Sequence, residues 1–150
     1  MECPITKKYG GYALTVTRMI LGLIFFMHGS QKVLGWYGGM GLAGTIQAMT
    51  GIGLPMALAY LVSFGEFLGG IALLAGFLTQ PAALGILIIM MGAVLKIHGR
   101  NGFFLDHQGY EYNLALMGMC LSLILGGGGR FAIDNFWCGE CCDNDKKISD

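Results

Sequence analysis

The sequence predicts an all-α integral membrane protein: an antiparallel four-helix bundle with a glycine-rich first outer loop. Hydrophobic residues make up 55% of the 150 positions and charged residues only 12%, too little charged surface for a soluble domain of this size. Apolar runs near the ~20 residues a membrane helix requires recur along the chain, separated by short polar breaks. Glycine is abundant at 26 residues against three prolines, as in membrane helices that approach closely through small side chains. Nine basic and nine acidic residues cancel, so no charge excess points to nucleic acid or to an acidic substrate.

The first span is expected over 12–34, with Arg18 and Lys32 sending their charged ends toward the two interfaces and Trp36 and Tyr37 in an aromatic belt. Lys7, Lys8 and Arg18 precede the apolar stretch 19–27 in the manner of a signal peptide. No small-x-small cleavage pattern follows, so the segment reads as an uncleaved span. Residues 35–53 carry no charge and read as a connecting loop or a re-entrant segment.

Pro55 opens the second span, 55–78. Thr79-Gln80-Pro81 reads as a tight polar break, with Pro81 in the first turn of the third span, 81–97. Residues 98–110 read as a polar interfacial loop, and the fourth span occupies 111–127, stopping at the glycine run 126–129. Residues 1–130 thus form the membrane domain and 131–150 a polar, cysteine-containing tail. An even number of spans places both ends on one side. The basic residues Lys7, Lys8, Arg18, Arg130, Lys146 and Lys147, set against Lys32, Lys96 and Arg100, put that side in the cytoplasm of a bacterial-type inner membrane.

Glu66 is the sharpest feature, because a charged carboxylate near the centre of a span costs roughly 2.5–3.5 kcal/mol on insertion scales. It must face protein or water, and Gly65 with Gly69 offers a surface for a close helix. Two partners are available on the first span. Arg18 has a long, permanently charged side chain and makes a structural ion pair; His28 exchanges protons near neutral pH or donates to a carbonyl oxygen such as that of a quinone. The residues leave that choice open. His28 shares a helix face with Gln31 and Lys32, and the topology gathers these with His98, Arg100, Asp106, His107 and Glu111 at one outer rim. Ligand-binding candidates are therefore His28, Gln31, Lys32, Glu66, His98 and Glu111. The bland alternative is that the lysines snorkel, the loop histidines are ordinary and Glu66 with Arg18 is a brace.

No cofactor is expected to be tightly bound. His28 and His98 are the only pair placed for axial haem ligation, but neither lies mid-membrane, which disfavours haem. The tail cysteines Cys138, Cys141 and Cys142 include a C-x-x-C spacing, and Cys3 would supply a fourth thiolate for zinc or an iron–sulfur cluster. A reduced or palmitoylated tail is the simpler reading.

Several stretches together resemble the DoxX family of small four-helix membrane proteins, from about residue 13 to 128. They are Arg18 followed by Leu21-Gly22-Leu23; His28-Gly29-Ser30-Gln31-Lys32; Gly38-Gly39-Met40-Gly41-Leu42; Glu66-Phe67 with Gly69-Gly70; His98 with Gly102-Phe103-Phe104; and Glu111-Tyr112. Gln80 departs from the pattern, since many relatives look to have arginine after the threonine, and the tail beyond Phe136 lies outside it. The resemblance implies a four-helix membrane bundle and links to thiosulfate:quinone oxidoreduction, oxidative-stress complexes and assemblies of membrane redox enzymes. Dinucleotide, nucleophile-elbow and complete metal motifs are absent from the sequence, so any enzymatic role is expected to be that of a subunit.

Three functions compete. The first is a redox-associated subunit that approaches a quinone between spans one to three, with His28 and Glu66 as hydrogen-bonding or proton-exchanging groups and partner proteins supplying electrons. The second is a structural or assembly subunit of a larger membrane complex, or a homo-oligomer. The third is a proton or small-anion transporter with Glu66 as carrier and Arg18, Lys32 and Arg100 attracting the anion.

Overall fold

Backbone amides inside a bilayer have no water to bond to, so the apolar runs satisfy their hydrogen bonds internally as helices. The computed structural model describes the backbone of residues 4–136 and the side chains of 9–136. Five α-helices follow one another: α1 (Pro4–Val33), α2 (Gly41–Gly51), α3 (Met56–Ala75), α4 (Thr79–Lys96) and α5 (Glu111–Gly126). Within α1, the segment Tyr9–Val33 is long and apolar enough to cross a membrane, as are α3 and α4; α5 is apolar but shorter, at 16 residues. The four long helices run alternately up and down and close a ring, with α1 and α4 each packed against both α3 and α5. The two ends of the bundle are called here the terminal end, where α1 begins and α5 finishes, and the loop end.

The core is a continuous apolar cluster of Leu21, Phe25, Leu73, Ala83, Ile86, Met90, Leu116, Cys120 and Leu123. Outward positions such as Leu23, Leu68, Leu84, Ile88 and Leu121 are equally apolar but exposed, as lipid-facing side chains must be. An apolar groove of ≈ 470 Å³ between α3 and α4, lined by Gly65, Gly69, Ala72 and Ala82 among others, belongs to this lipid-facing surface.

Glycine decides how closely α1 and α3 approach. A methyl group added at Gly29 would fall on the Phe67 backbone, 2.6 Å from its nitrogen, and one at Gly70 would lie 2.8 Å from the Phe25 carbonyl carbon. Gly65 and Gly69, the pair legible as a helix-approach motif, face the Ile89 and Ile86 side chains of α4 instead. Gly29→Ala is therefore expected to push the helices apart and destabilise the bundle by about 2–3 kcal/mol. Gly85, in α4 with open space around it, provides the control: its alanine variant is expected to be about 0.5–1 kcal/mol more stable. Melting temperatures of the two purified variants in one detergent check both signs.

Three details differ from the sequence expectation. Residues 35–53 are not a plain loop, because α2 occupies most of them and packs its buried Thr45 and Ile46 against α1 and α3. The turn between α3 and α4 lies earlier than Thr79-Gln80-Pro81. Gly76 ends α3 in the left-handed region at φ 71, its N–H bonded to Leu73 O and that of Phe77 to Ala72 O, the closure glycine favours at a helix C-terminus. Thr79 already begins α4. Finally, the membrane unit continues beyond 130: the glycine run turns the chain back so that Arg130 N–H bonds Gly11 O and Ala132 is buried.

Candidate functional site

Two polar layers interrupt the apolar core. At the terminal end the Arg18 guanidinium, 2% exposed, is the largest fully buried side chain. Its Nε donates to Gly128 O at 2.9 Å, Nη1 to Leu73 O at 2.5 Å and Leu74 O at 2.9 Å, and Nη2 to Phe131 O at 3.2 Å. The Leu73 and Leu74 carbonyls are among the last of α3, where intrahelical donors run out, although Leu73 O also accepts from the closing Gly76 N–H at 3.2 Å. Arg18 thus binds the negative end of α3 to the returning chain after α5. Asp134 completes the layer by accepting from the Leu78 and Thr79 N–H groups at 2.7 and 2.8 Å, an anion at the start of α4.

At the loop end, Glu66 on α3 is paired with Lys32 on α1, Nζ to Oε2 2.5 Å, with side-chain exposures of 4% for the acid and 26% for the lysine. This corrects the expectation that Glu66 pairs with Arg18 or His28. Arg18 lies at the level of Leu73 and Leu74, seven to eight residues from Glu66 and so about 11 Å away along the helix, with its fork committed to carbonyls. His28 is exposed and has no hydrogen-bond partner among the described residues. Lys32 succeeds because Gly29, one turn below it, lets α1 touch α3 at Phe67, the neighbour of Glu66. The ammonium reaches inward to the acid rather than outward to the interface.

The pair has defined surroundings. Phe67, next to Glu66 in sequence, stacks its ring on that of Phe26 of α1 at 5.9 Å and 25°. Thr45 of α2 donates to the Lys32 carbonyl at 3.4 Å, so α2 lies over the end of α1 that carries the lysine. Ser63, one turn from Glu66 on α3, is buried but donates to its own helix at Ala59 O. Among the described residues the second carboxylate oxygen of Glu66 has no donor. The arrangement provides a cation able to donate to a carbonyl oxygen and a carboxylate with one oxygen free to accept a hydrogen bond.

The other candidates are not gathered here. Gln31 Nε2 makes only a 3.5 Å contact with Tyr37 O. His98 Nδ1 lies 2.8 Å from Gln108 O, and Glu111 accepts from Leu105 N–H at 2.9 Å, so both fasten the α4–α5 loop. Arg100, Asp106 and His107 are exposed. The single outer rim is therefore two features: a buried pair under α2 and a fastened loop. Groups of three or more metal-ligating side chains do not occur among the described residues, and Cys3, Cys138, Cys141 and Cys142 lie outside them. Two polar residues with structural roles were not anticipated: Asn113, buried in the core, and Asp134, half-buried at the terminal end. The one signal for Asn113 is its place in the inward stripe of α5, which repeats at Leu116, Cys120 and Leu123.

A ring of four antiparallel membrane helices with a buried ion pair at one end and a carbonyl-binding arginine at the other defines a class of small multi-pass membrane protein. The DoxX family profile matches residues 13–99, and the chain belongs to that family. It is 32% identical over 120 residues to a Bacillus subtilis (strain 168) protein named "Putative oxidoreductase CatD", covering 79% of this chain and 82% of the relative. Two Escherichia coli (strain K12) relatives are named inner membrane proteins. YqjF is 30% identical over 128 residues, 85% of this chain and 94% of its own; YphA is 27% identical over 128 residues, 81% and 87% respectively. No solved structure matches the chain significantly.

Proposed function

We propose that the protein is a redox-associated membrane subunit in which the Lys32–Glu66 pair receives the carbonyl headgroup of a membrane quinone, with electrons delivered by a partner protein. The carrying observation is the pair itself: a carboxylate buried in a membrane bundle, bound to a cation through one oxygen while the other has no donor among the described residues. That second oxygen is not among the buried unpartnered atoms, so it keeps enough access to meet an incoming donor. Lys32 takes the donor role that the sequence assigned to His28. Glu66 takes up and returns protons as the quinone carbonyls gain or lose them. The oxidoreductase name carried by the Bacillus relative supports the reading. With both termini in the cytoplasm, the pair lies toward the outer leaflet.

The test is direct binding of a decyl-substituted benzoquinone to purified protein in lipid nanodiscs. Lys32→Met and Glu66→Gln are each expected to weaken binding about tenfold or more. Wild-type affinity retained in both variants would remove the proposal.

A further inference from the structure

Asn113 is buried, 6% exposed, in the first turn of α5. Its amide nitrogen reaches only the Met90 sulfur at 3.7 Å, and its amide oxygen has no donor among the described residues. A thioether is a weak acceptor, and the amide oxygen, which is not among the buried unpartnered atoms, keeps some access, so both ends of the amide can still take a stronger partner. The other inward positions of α5 are Leu116, Cys120 and Leu123, and a leucine at 113 would continue that stripe.

The helix register puts this amide at the level of the ion pair. Gly29 of α1 meets Phe67 of α3, Gly65 of α3 meets Ile89 of α4, and Met90 of α4 meets Asn113 of α5. Following these contacts round the ring from Lys32 and Glu66 leads to Asn113 within about one helical turn of the same height. The layer therefore holds unspent hydrogen-bonding capacity on two walls: Lys32 and Glu66 on α1 and α3, and the carboxamide on α5. The residue touching the amide, Met90, is unbranched and adaptable, the side chain type that gives way most readily to an incoming group.

We infer that Asn113 is the second polar contact of the same site, donating from Nδ2 to the carbonyl oxygen remote from Lys32. The ligand class is accordingly a flat ring with two carbonyl oxygens on opposite edges, one directed at α1 and the other at α5. This rests on the quinone reading of the Lys32–Glu66 pair and extends it to a wall of the bundle which that reading does not use. It also gives the weakly partnered amide a reason to persist, since a site built to bond a polar group discriminates strongly against ligands lacking it.

The experiment compares Asn113→Leu with wild type in nanodiscs for two probes: a decyl-substituted para-benzoquinone, and a decyl-substituted 4,4-dimethylcyclohexadienone, which retains a single carbonyl. Asn113→Leu is expected to bind the quinone about tenfold more weakly, to bind the one-carbonyl probe as wild type does, and to melt at or above the wild-type temperature. Asn113→Ser serves as the second variant should the leucine fail to fold, with the same selective loss for the quinone. Unchanged quinone affinity in the Asn113 variants, while Lys32→Met and Glu66→Gln lose it, overturns the role of Asn113 alone. A lower melting temperature with unchanged affinity makes the amide structural and overturns it equally. Absence of quinone binding by the wild type removes both this inference and the reading beneath it.

Discussion

Arg18→Leu is expected to be the most damaging single substitution in the described structure, with a loss of at least about 4 kcal/mol and little folded protein recovered from membranes. Four carbonyls, of Gly128, Leu73, Leu74 and Phe131, lose the guanidinium at once, and among the described residues Leu73 O alone keeps another donor, the Gly76 N–H. Neither lipid nor the neighbouring leucines can replace the guanidinium. Arg18→Lys keeps the charge but not the planar fork and is expected to lose roughly half as much. Hydrogen exchange provides the regional check: amides of 76–80 and 126–134 should lose protection in Arg18→Lys, whereas those around Gly29 should keep theirs. Uniform loss across the bundle would show that Arg18 is not confined to bracing the terminal end.

The ion pair produces the second large effect, and the ordering of its variants is the informative result. Lys32→Met strands a carboxylate with 4% side-chain exposure and is expected to cost about 3–5 kcal/mol. Glu66→Gln leaves an ammonium whose side chain is 26% exposed and can turn toward water, so its cost is about 1–2 kcal/mol. The double variant Lys32→Met with Glu66→Leu removes both desolvated ions and is expected to return to within about 1 kcal/mol of wild type or to exceed it. Thermal unfolding of wild type and the three variants in one lipid mixture measures this ordering. A double variant less stable than Lys32→Met would mean that the pair holds the bundle together. Wild-type stability combined with lost quinone binding would separate the pair's chemistry from its packing.

Much of the frame was legible because a bilayer imposes length and hydropathy on any segment that crosses it. Glu66 stood out for the same reason: its depth follows from counting residues. Its partner did not, because pairing depends on the register between α1 and α3, and Gly29 and Gly70 set that register by contacts more than 35 residues apart in sequence. Lys32 lies in the last turn of α1, where a lysine ordinarily extends to the interface; only the close crossing turns it inward. The helix α2 was hidden because an uncharged, glycine-rich window has no polar face to mark a period. Asn113 reads locally as a polar residue at the start of a helix, and Asp134 as part of a tail. Both acquire meaning only when chain segments far apart in sequence are folded beside them.

The shortness of α5 has a consequence for the surrounding lipid. Sixteen residues rise only about 24 Å, several Å less than a typical hydrocarbon core of ~30 Å. Phe103, Phe104 and Leu105, exposed in the loop before α5, extend the apolar surface at that end. Thinning of the bilayer along this flank is one expected response to the mismatch and would bring headgroups toward the first turn of α5. The flank carrying Asn113 is therefore where the barrier between interface and protein core is thinnest. For an amphiphile in the membrane plane this flank would offer the shortest path inward, sideways from the leaflet.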